Sequence, residues 1–342
     1  MAINNLRVIW NNIADLSTVT ASTTANTASA TLSTSSITGT TLTVGTVVGT
    51  IAVGMYLTGT GVINGTYIVS GSGTSWVVSQ NHATTTGSIT ITALTTATPV
   101  SNLLIDKKAL VWRSNTTTAT LTISFGSSKT IRGIVLPFTN LTSTATINVT
   151  CTGGSTATTG NVSQIFTNSS DTTYLPTGAS TYSYGGGVYG RAWFSSAQTC
   201  TGCTVTIVDT NNTAGYIEAS RLIIGDAWIP TFNTSFGLTY GPRSLSTNNR
   251  TEAGDLVTNR GIQYNSMSFD LTYLNPTDRA TFTKILKTNG INKGLLISLF
   301  PDASEDYDKE QTWMIYGKLT SMSDITHTMH TMYSSKVEIE EI

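Results

Sequence analysis

The sequence predicts a mainly β protein: a β-sandwich interrupted by an inserted small β module and followed by a β-rich domain carrying one α-helix. Three observations point there. Short runs alternating β-branched or aromatic residues with hydroxyl residues recur along the chain, bounded by Gly, Asn or Pro, the pattern of half-buried strands. No Asp, Glu, Lys or Arg occurs between Leu16 and Ile105, so that part must be solvated by hydroxyls and amides. Helix start and stop signals meet around one segment, from Asn275 to Gly290.

In chain order, residues 1–36 open the sandwich. Residues 37–95 read as the inserted module: "TLTVGTVVGTIAVGMYLTG" and "NGTYIVSG" are rich in β-branched residues with Gly as punctuation, and "GSITITAL" puts Ile89 and Ile91 on one face. Its exposed face would be Thr where most domains use Lys or Glu. The sandwich resumes over residues 96–225 with "PVSNLLIDKKALVWRS", "ATLTISFG", "IRGIVLPFTNL" and "ATINVTC", then "CTVTIVD" and "EASRLIIG" after a loop-like stretch at 152–190. Charge returns after Asp226, and residues 226–342 read as a domain of their own. There Asn275 is the N-cap, Pro276 the first helical residue, Asp278 lies in the first turn, Lys284 and Lys287 come late, and Asn289-Gly290 stops the helix. Phe282, Ile285 and Leu286 form its apolar stripe. "SMSFDLTYL" alternates Met267, Phe269, Leu271 and Tyr273, "GLLISLF" reads as a buried strand, and "TWMIYGKLTSM" and "SSKVEIEEI" close the domain.

Composition excludes several function classes. Charged residues are 11% of 342, against about a quarter in an ordinary globular protein, while the hydrophobic share is 39%. With a net charge of −1 and a mean hydropathy of +0.05 the chain lacks the signature of disorder. It also lacks the field that would attract nucleic acid or an acidic membrane. No segment has membrane-span length, and the N-terminus shows no secretory pattern, so synthesis in a cytoplasm is expected. Three cysteines do not make a disulfide framework.

Candidate chemistry is sparse. "CTGC", Cys200 to Cys203, has redox or zinc spacing but no second pair, which leaves a local disulfide or plain strand cysteines. "HTMH" sets His327 and His330 three apart between strands without a third ligand. "DASEDYDKE", 302–310, gathers carboxylates without the glycine and spacing of a calcium loop and reads as a solvated hairpin loop. Asp106, Asp171, Asp209 and Glu218 stand singly, and no nucleophile-elbow, zinc-protease or phosphate-loop motif occurs. The expectation is no enzyme, no cofactor and no metal. Tyr182, Tyr184, Tyr189 and Trp193, beside Gly185 to Gly187, could stack on a glycan or pack against a neighbouring subunit, the second being the favoured use.

Two resemblances add to this. The run from "ADLSTVTAS" through "TPVSNLLIDKKALVWRSNTTTATLTISFG" to "IRGIVLPFTNL" resembles a galactose-binding-like, discoidin-type jelly roll, the match being carried by Asp106, Trp112, Arg113 and Ser114; it implies that Arg7 to Ala25 is the first sandwich strand. "GYIEASRLIIGDAW", "NRTEAGDLVTNRG", the strand-helix-strand with "LFP" and the closing "VEIEEI" resemble tailed-bacteriophage tail-tip or baseplate proteins, and "AVGMYLTGTGVINGTYIV" resembles a small β domain of phage structural proteins. That resemblance implies a tail-tube or distal-tail-like domain, a place at the tail end of a virion, and partners that are copies of itself and other tail proteins. A ring of six copies is expected, three being the alternative. Its interface would use Phe282, Ile285, Leu286, Phe269, Leu271, Val337 and Ile339. A glycan-binding host-adsorption module is the rival reading, and a head or tail-surface decoration protein the third.

Overall fold

The computed structural model describes residues 6–24, 27–63, 66–82, 88–96, 98–142, 144–159, 162–163, 188–259, 261–301 and 307–342. It is mainly β, as expected, and divides into two compact units, residues 24–101 and residues 1–23 with 102–342. The smaller unit thus extends on both sides of the expected 37–95, and residues 226–342 share a unit with the sandwich.

The opening segment is divided between two sheets. Strand β1 (Arg7–Ile9) pairs with the C-terminal sheet, whereas β2 (Thr18–Ala21) pairs with the sandwich, so Arg7 to Ala25 is not one sandwich strand. The cause is local. The Asn12 side-chain oxygen accepts from the N–H of Ala14 at 3.2 Å and of Ile224 at 2.9 Å, capping a single 3-10 turn that redirects the chain. Leu6 and Val8 are buried in the C-terminal core, which draws β1 there.

Residues 24–101 hold β3 (Thr27–Thr43), β4 (Thr46–Gly49), β5 (Tyr56–Gly59), β6 (Ile68–Ser72), β7 (Ser75–His82) and β8 (Ile89–Thr96) in the order β5-β8-β3-β7-β6, with β4 on β3. The two ends meet. Tyr56 bridges Tyr67, Leu57 N–H donates to Thr66 O at 2.8 Å and Ile68 N–H to Met55 O at 2.9 Å, closing the sheet into a small barrel. Leu32, Ile37, Leu42, Leu57, Ile68, Trp76, Val78 and Ile91 fill it, which is where the apolar half of the Thr/Val/Gly pattern goes.

The sandwich contains β9 (Trp112–Arg113), β10 (Thr118–Thr139), β11 (Thr146–Gly154), β12 (Val162–Ser163), β13 (Val188–Val208), β14 (Glu218–Ala219) and β15 (Ile223–Gly225) in one curled, eight-stranded sheet that also takes β2. Strands β10 and β13 run antiparallel over most of their length, with register shifts near Ser124/Lys129, Ile131/Gly133 and Leu136/Thr139 that let them bend. Burial alternates over Ala119, Leu121, Ile123 and Phe125, then becomes continuous from Gly133 to Thr139. The apolar "IVLPF" run is the stretch covered on both faces.

The last third forms β16 (Thr239–Ser244), β17 (Thr247–Arg250), β18 (Leu256–Asn259), β19 (Gln263–Leu274), helix α1 (Pro276–Asn289), β20 (Leu295–Ser298), α2 (Tyr307–Thr312), β21 (Met314–Leu319), β22 (Thr326–Met329) and β23 (Met332–Glu341). The sheet order is β1-β20-β21-β23-β19-β16, with β22 on β23. Helix α1 begins and ends where its signals put it: the Asn275 side chain accepts from Asp278 N–H at 2.8 Å, and Gly290 adopts φ 52° beyond the last turn. Its stripe covers one face of the sheet. The opposite face of β20 and β21 meets the sandwich, where Leu296, Met314 and Tyr316 pack with Val135, Phe138, Tyr189, Trp193 and Ile223.

Candidate functional site

The residues expected at an assembly interface lie in the interior. Phe282, Ile285, Leu286, Phe269, Leu271, Val337 and Ile339 are all buried together between α1 and its own sheet, with Leu295, Ile297 and Leu319. They hold the fold together and cannot face a neighbour. An apolar stripe demands cover, and here the sheet of the same chain supplies it.

The aromatic candidates are corrected in a similar way. Tyr182 and Tyr184 lie outside the described residues. Tyr189 and Trp193 are buried on β13, so neither is open to a sugar or to another subunit. Tyr189 Oη donates to Glu341 at 3.1 Å and accepts from Tyr316 N–H at 3.0 Å; burial, then the Glu341 charge, raise its pKa. Trp193 Nε1 donates to Glu310 at 3.0 Å, and the Arg7 guanidinium sits 4.8 Å from the ring centre. Glu310 is fully buried and also takes Arg191 Nη2 at 2.9 Å. The end of "DASEDYDKE", expected in a solvated hairpin loop, is therefore part of α2 and contributes a buried ion pair to the seam between sandwich and C-terminal sheet.

Of the residues that carried the jelly-roll resemblance, Asp106 reaches the same seam, and Trp112, Arg113 and Ser114 bond within the sandwich. Asp106 accepts from Tyr316 Oη at 2.5 Å and lies 3.6 Å from Arg221, which also reaches Asp15 at 2.8 Å. Burial raises the Asp15 pKa against the pull of Arg221. Trp112 is fully buried and donates to Thr23 O at 3.3 Å, Arg113 pairs with Glu218 at 2.5 Å, and the Ser114 hydroxyl donates to Thr116 O at 2.5 Å. Asp209 is buried and accepts from Thr142 and Asn212, which makes it a loop brace. Lys108, 3.5 Å from Glu341, has its pKa lowered by burial.

Cys200 and Cys203 are free thiols, as is Cys151, and all three are buried on β11 and β13, with Cys151 opposite Cys203. Burial first, then Cys200, push the Cys151 thiol up to about 12. That is the opposite of an activated nucleophile. His327 stacks on Tyr333 with ring centres 4.7 Å apart. Among the described residues no group of three or more His, Cys, Asp or Glu is placed to hold a metal, and no helix is long and apolar enough to cross a membrane.

Among the described residues, three solvent-facing features stand out. On the barrel, Tyr56 and Tyr67 pair with ring centres 5.9 Å apart, beside exposed Val69 and Val77. On the C-terminal sheet, an open groove of about 560 Å³ has Asp270, Thr272, Ser323, Asp324, Lys336 and Glu338 among its lining residues. Beyond that sheet, β16 and β19 continue into β17 and β18 as one two-stranded arm, bridged by Leu245 N–H to Ile262 O at 3.0 Å. All four residues of β17 and all four of β18 are exposed, and Leu245, Leu256, Val257 and Ile262 are at least half exposed. Neither the Tyr pair nor the groove is singled out by the sequence, and the tip of the arm, "NRTEAGDLVTNRG", enters there only through the tail-protein resemblance. The Tyr pair needs strands 56–59 and 68–72 brought together, and the arm's strands carry no alternating pattern.

No family model matches the chain, and no curated protein matches it either. Solved structures similar to part of it include the family 32 carbohydrate-binding module of Clostridium perfringens NanJ in complex with galactose, at 11% identity and a TM-score of 0.27, covering 37% of this chain and 83% of that one. A second Clostridium perfringens module of that family, in complex with GalNAc-β-1,3-galactose, is similar at 10% identity and a TM-score of 0.27 over 38% of this chain and 84% of that one. Reduced XRCC1 bound to the DNA polymerase β catalytic domain is similar at 10% identity and a TM-score of 0.25, over 38% and 88%. Likenesses of this size carry no argument about a ligand. The function has to be read from the molecule's own surfaces.

Proposed function

We propose that the protein is a non-catalytic glycan-binding display protein. One observation carries this reading: the barrel formed within residues 24–101 has no Asp, Glu, Lys or Arg anywhere in it, and it faces solvent through threonines, the Tyr56–Tyr67 pair and aliphatic side chains such as Val48, Val69 and Val77. Such a surface offers hydrogen bonds and apolar contact but no ion pair, which suits a polyhydroxylated ligand and does not suit phosphate or an acidic membrane. The full-length chain on a glycan array is the test. Retention of a defined set of glycans supports the reading, and failure to hold any glycan sinks it.

The arm of β17 and β18 favours a second reading, a structural subunit of a larger particle. A two-stranded ribbon is marginal alone in water, and this one exposes four large apolar side chains, so a neighbour that covers it would stabilise it. In this reading the protein sits at the tail tip or baseplate of a tailed phage, as the tail-protein resemblance implies, in a ring of six or three copies. The two roles are compatible, since an adsorption protein must be both attached and outward facing.

A further inference from the structure

The barrel holds more than a neutral surface; it arranges a platform and a row. Tyr56 on β5 stands opposite Tyr67, their rings tilted at 60°, with 36% and 43% of their surface exposed. Val69 and Val77 flank them and remain over two-fifths exposed. Two residues along β5, on the same face, Thr58 lies opposite Thr92 of β8, which lies opposite Thr31 of β3, which lies opposite Val48 of β4. Neighbouring strands are about 4.8 Å apart, so the three threonines put hydroxyls in a line at that spacing. An aromatic pair thus sits beside a ladder of hydrogen-bonding groups.

The platform is held in place from within. Tyr67 N–H donates to Ser79 Oγ at 3.1 Å. Ile63, ahead of it in the chain, is held by His82, whose Nε2 accepts from Ile63 N–H at 3.1 Å while Nδ1 donates to Gln80 O at 3.0 Å, and by the Thr66 hydroxyl, which donates to Ile63 O at 2.6 Å. A fixed platform loses little freedom when a ligand settles on it. His82 is buried with both ring nitrogens engaged, so it adds no charge donor or acceptor to this face.

Resting on the glycan-binding reading, we infer that the Tyr56–Tyr67 face with its Thr58–Thr92–Thr31 row binds an extended neutral hexose polymer. The apolar C–H face of a pyranose lies on the tyrosine rings, and ring hydroxyls of the following units bond to the threonines. A uronate, sialate or phosphate-bearing glycan would have to bring its charge to a surface with no cation to pair it, at a net desolvation cost. The occupant is therefore a polysaccharide without acidic groups.

The experiment is affinity electrophoresis of the full-length chain and its Tyr56→Ala, Tyr67→Ala and double variants through gels containing a galactan, a mannan or a β-glucan, with alginate and hyaluronan as anionic counterparts. The exposed tyrosines are outside the barrel core, and melting curves check that the variants fold. The expected result is retardation by at least one neutral polymer that persists at high salt. Each single substitution should weaken it by about three- to tenfold, the worth of one aromatic contact, and Tyr67→Phe should keep it. Retardation by a neutral polymer that the double variant retains would overturn this site while leaving the glycan-binding reading intact. Retardation only by alginate or hyaluronan, lost at high salt, would overturn the neutral class. If no polymer retards the chain, site and reading fail together. A concentration-dependent dimer abolished by the double variant would show instead that the face belongs to a second copy.

Discussion

The Arg191–Glu310 pair, with Trp193 as a third member, is the residue-scale feature with the clearest energetic consequence. Both charges are almost wholly buried and pair with each other at 2.9 Å, with Trp193 Nε1 as a further donor to Glu310. Breaking a buried pair by removing one partner typically costs about 3–5 kcal/mol, whereas replacing both by apolar residues of similar volume is often neutral or stabilising. Glu310→Ala should therefore lower the urea midpoint strongly, and the Arg191→Met/Glu310→Leu double variant should recover most of the loss. A Glu310→Ala midpoint matching that of the parent would mean the pair is open to water. This feature was hidden in the sequence for a simple reason. Glu310 stands in a carboxylate-rich stretch that reads as solvated, and its partner is 119 residues away, so no local pattern joins them. Tyr189 and Trp193 misled for the converse reason: three glycines precede them and signal a loop, yet β13 begins at Val188 and carries both inward.

At the scale of elements, signals confined to a few residues survived folding and those that depend on a partner did not. Helix α1 was legible from cap to stop because Asn275, Pro276 and Gly290 act on their own backbone. Its stripe was legible as apolar, but an apolar stripe says that something must cover it without saying whose surface that is. Hence the same seven residues that read as an interface form the core between α1 and its own sheet. The large apolar side chains left uncovered lie instead on the β17–β18 arm, where Leu245, Leu256, Val257 and Ile262 face water. Shortening the arm by replacing residues 246–261 with a tight Asn-Gly turn should leave the melting temperature of the dilute chain within a few degrees, because no core residue is lost. Changing Leu256 and Val257 to Asp and Lys should act likewise. Either change should abolish self-association measured by sedimentation at high concentration. Equal association by parent and variants would remove the arm from any assembly surface, and a dilute parent that never associates would remove the structural-subunit reading's main support.

Across the whole molecule, the division between a charge-free barrel and a larger unit rich in buried titratable groups makes alkaline stability a sensitive readout. Burial raises the pKa of Cys151, from an ordinary 9.0 to about 12, and also raises those of Cys203, Tyr189 and Tyr316, all in the larger unit. In the unfolded chain these groups release their protons near ordinary thiol and phenol values, while the folded chain keeps them. The folded state then binds more protons than the unfolded one, so stability falls as pH rises from about 9 toward 12. Lys108 works in the other direction: burial lowers its pKa, the folded chain gives up that proton first, and stability gains as pH rises through that range. One lysine against four acids leaves the net slope negative. Denaturant midpoints measured across that range should drop steadily, and Cys151→Ala should flatten the drop because it removes one of the protons at issue. The barrel contains no cysteine and its two tyrosines are exposed, so hydrogen exchange at alkaline pH should show protection lost in β10, β11 and β13 before β3, β7 and β8. A uniform loss over both units would mean that they unfold as one, and a flat midpoint would place the thiols of the sandwich and the phenols of the seam in contact with water.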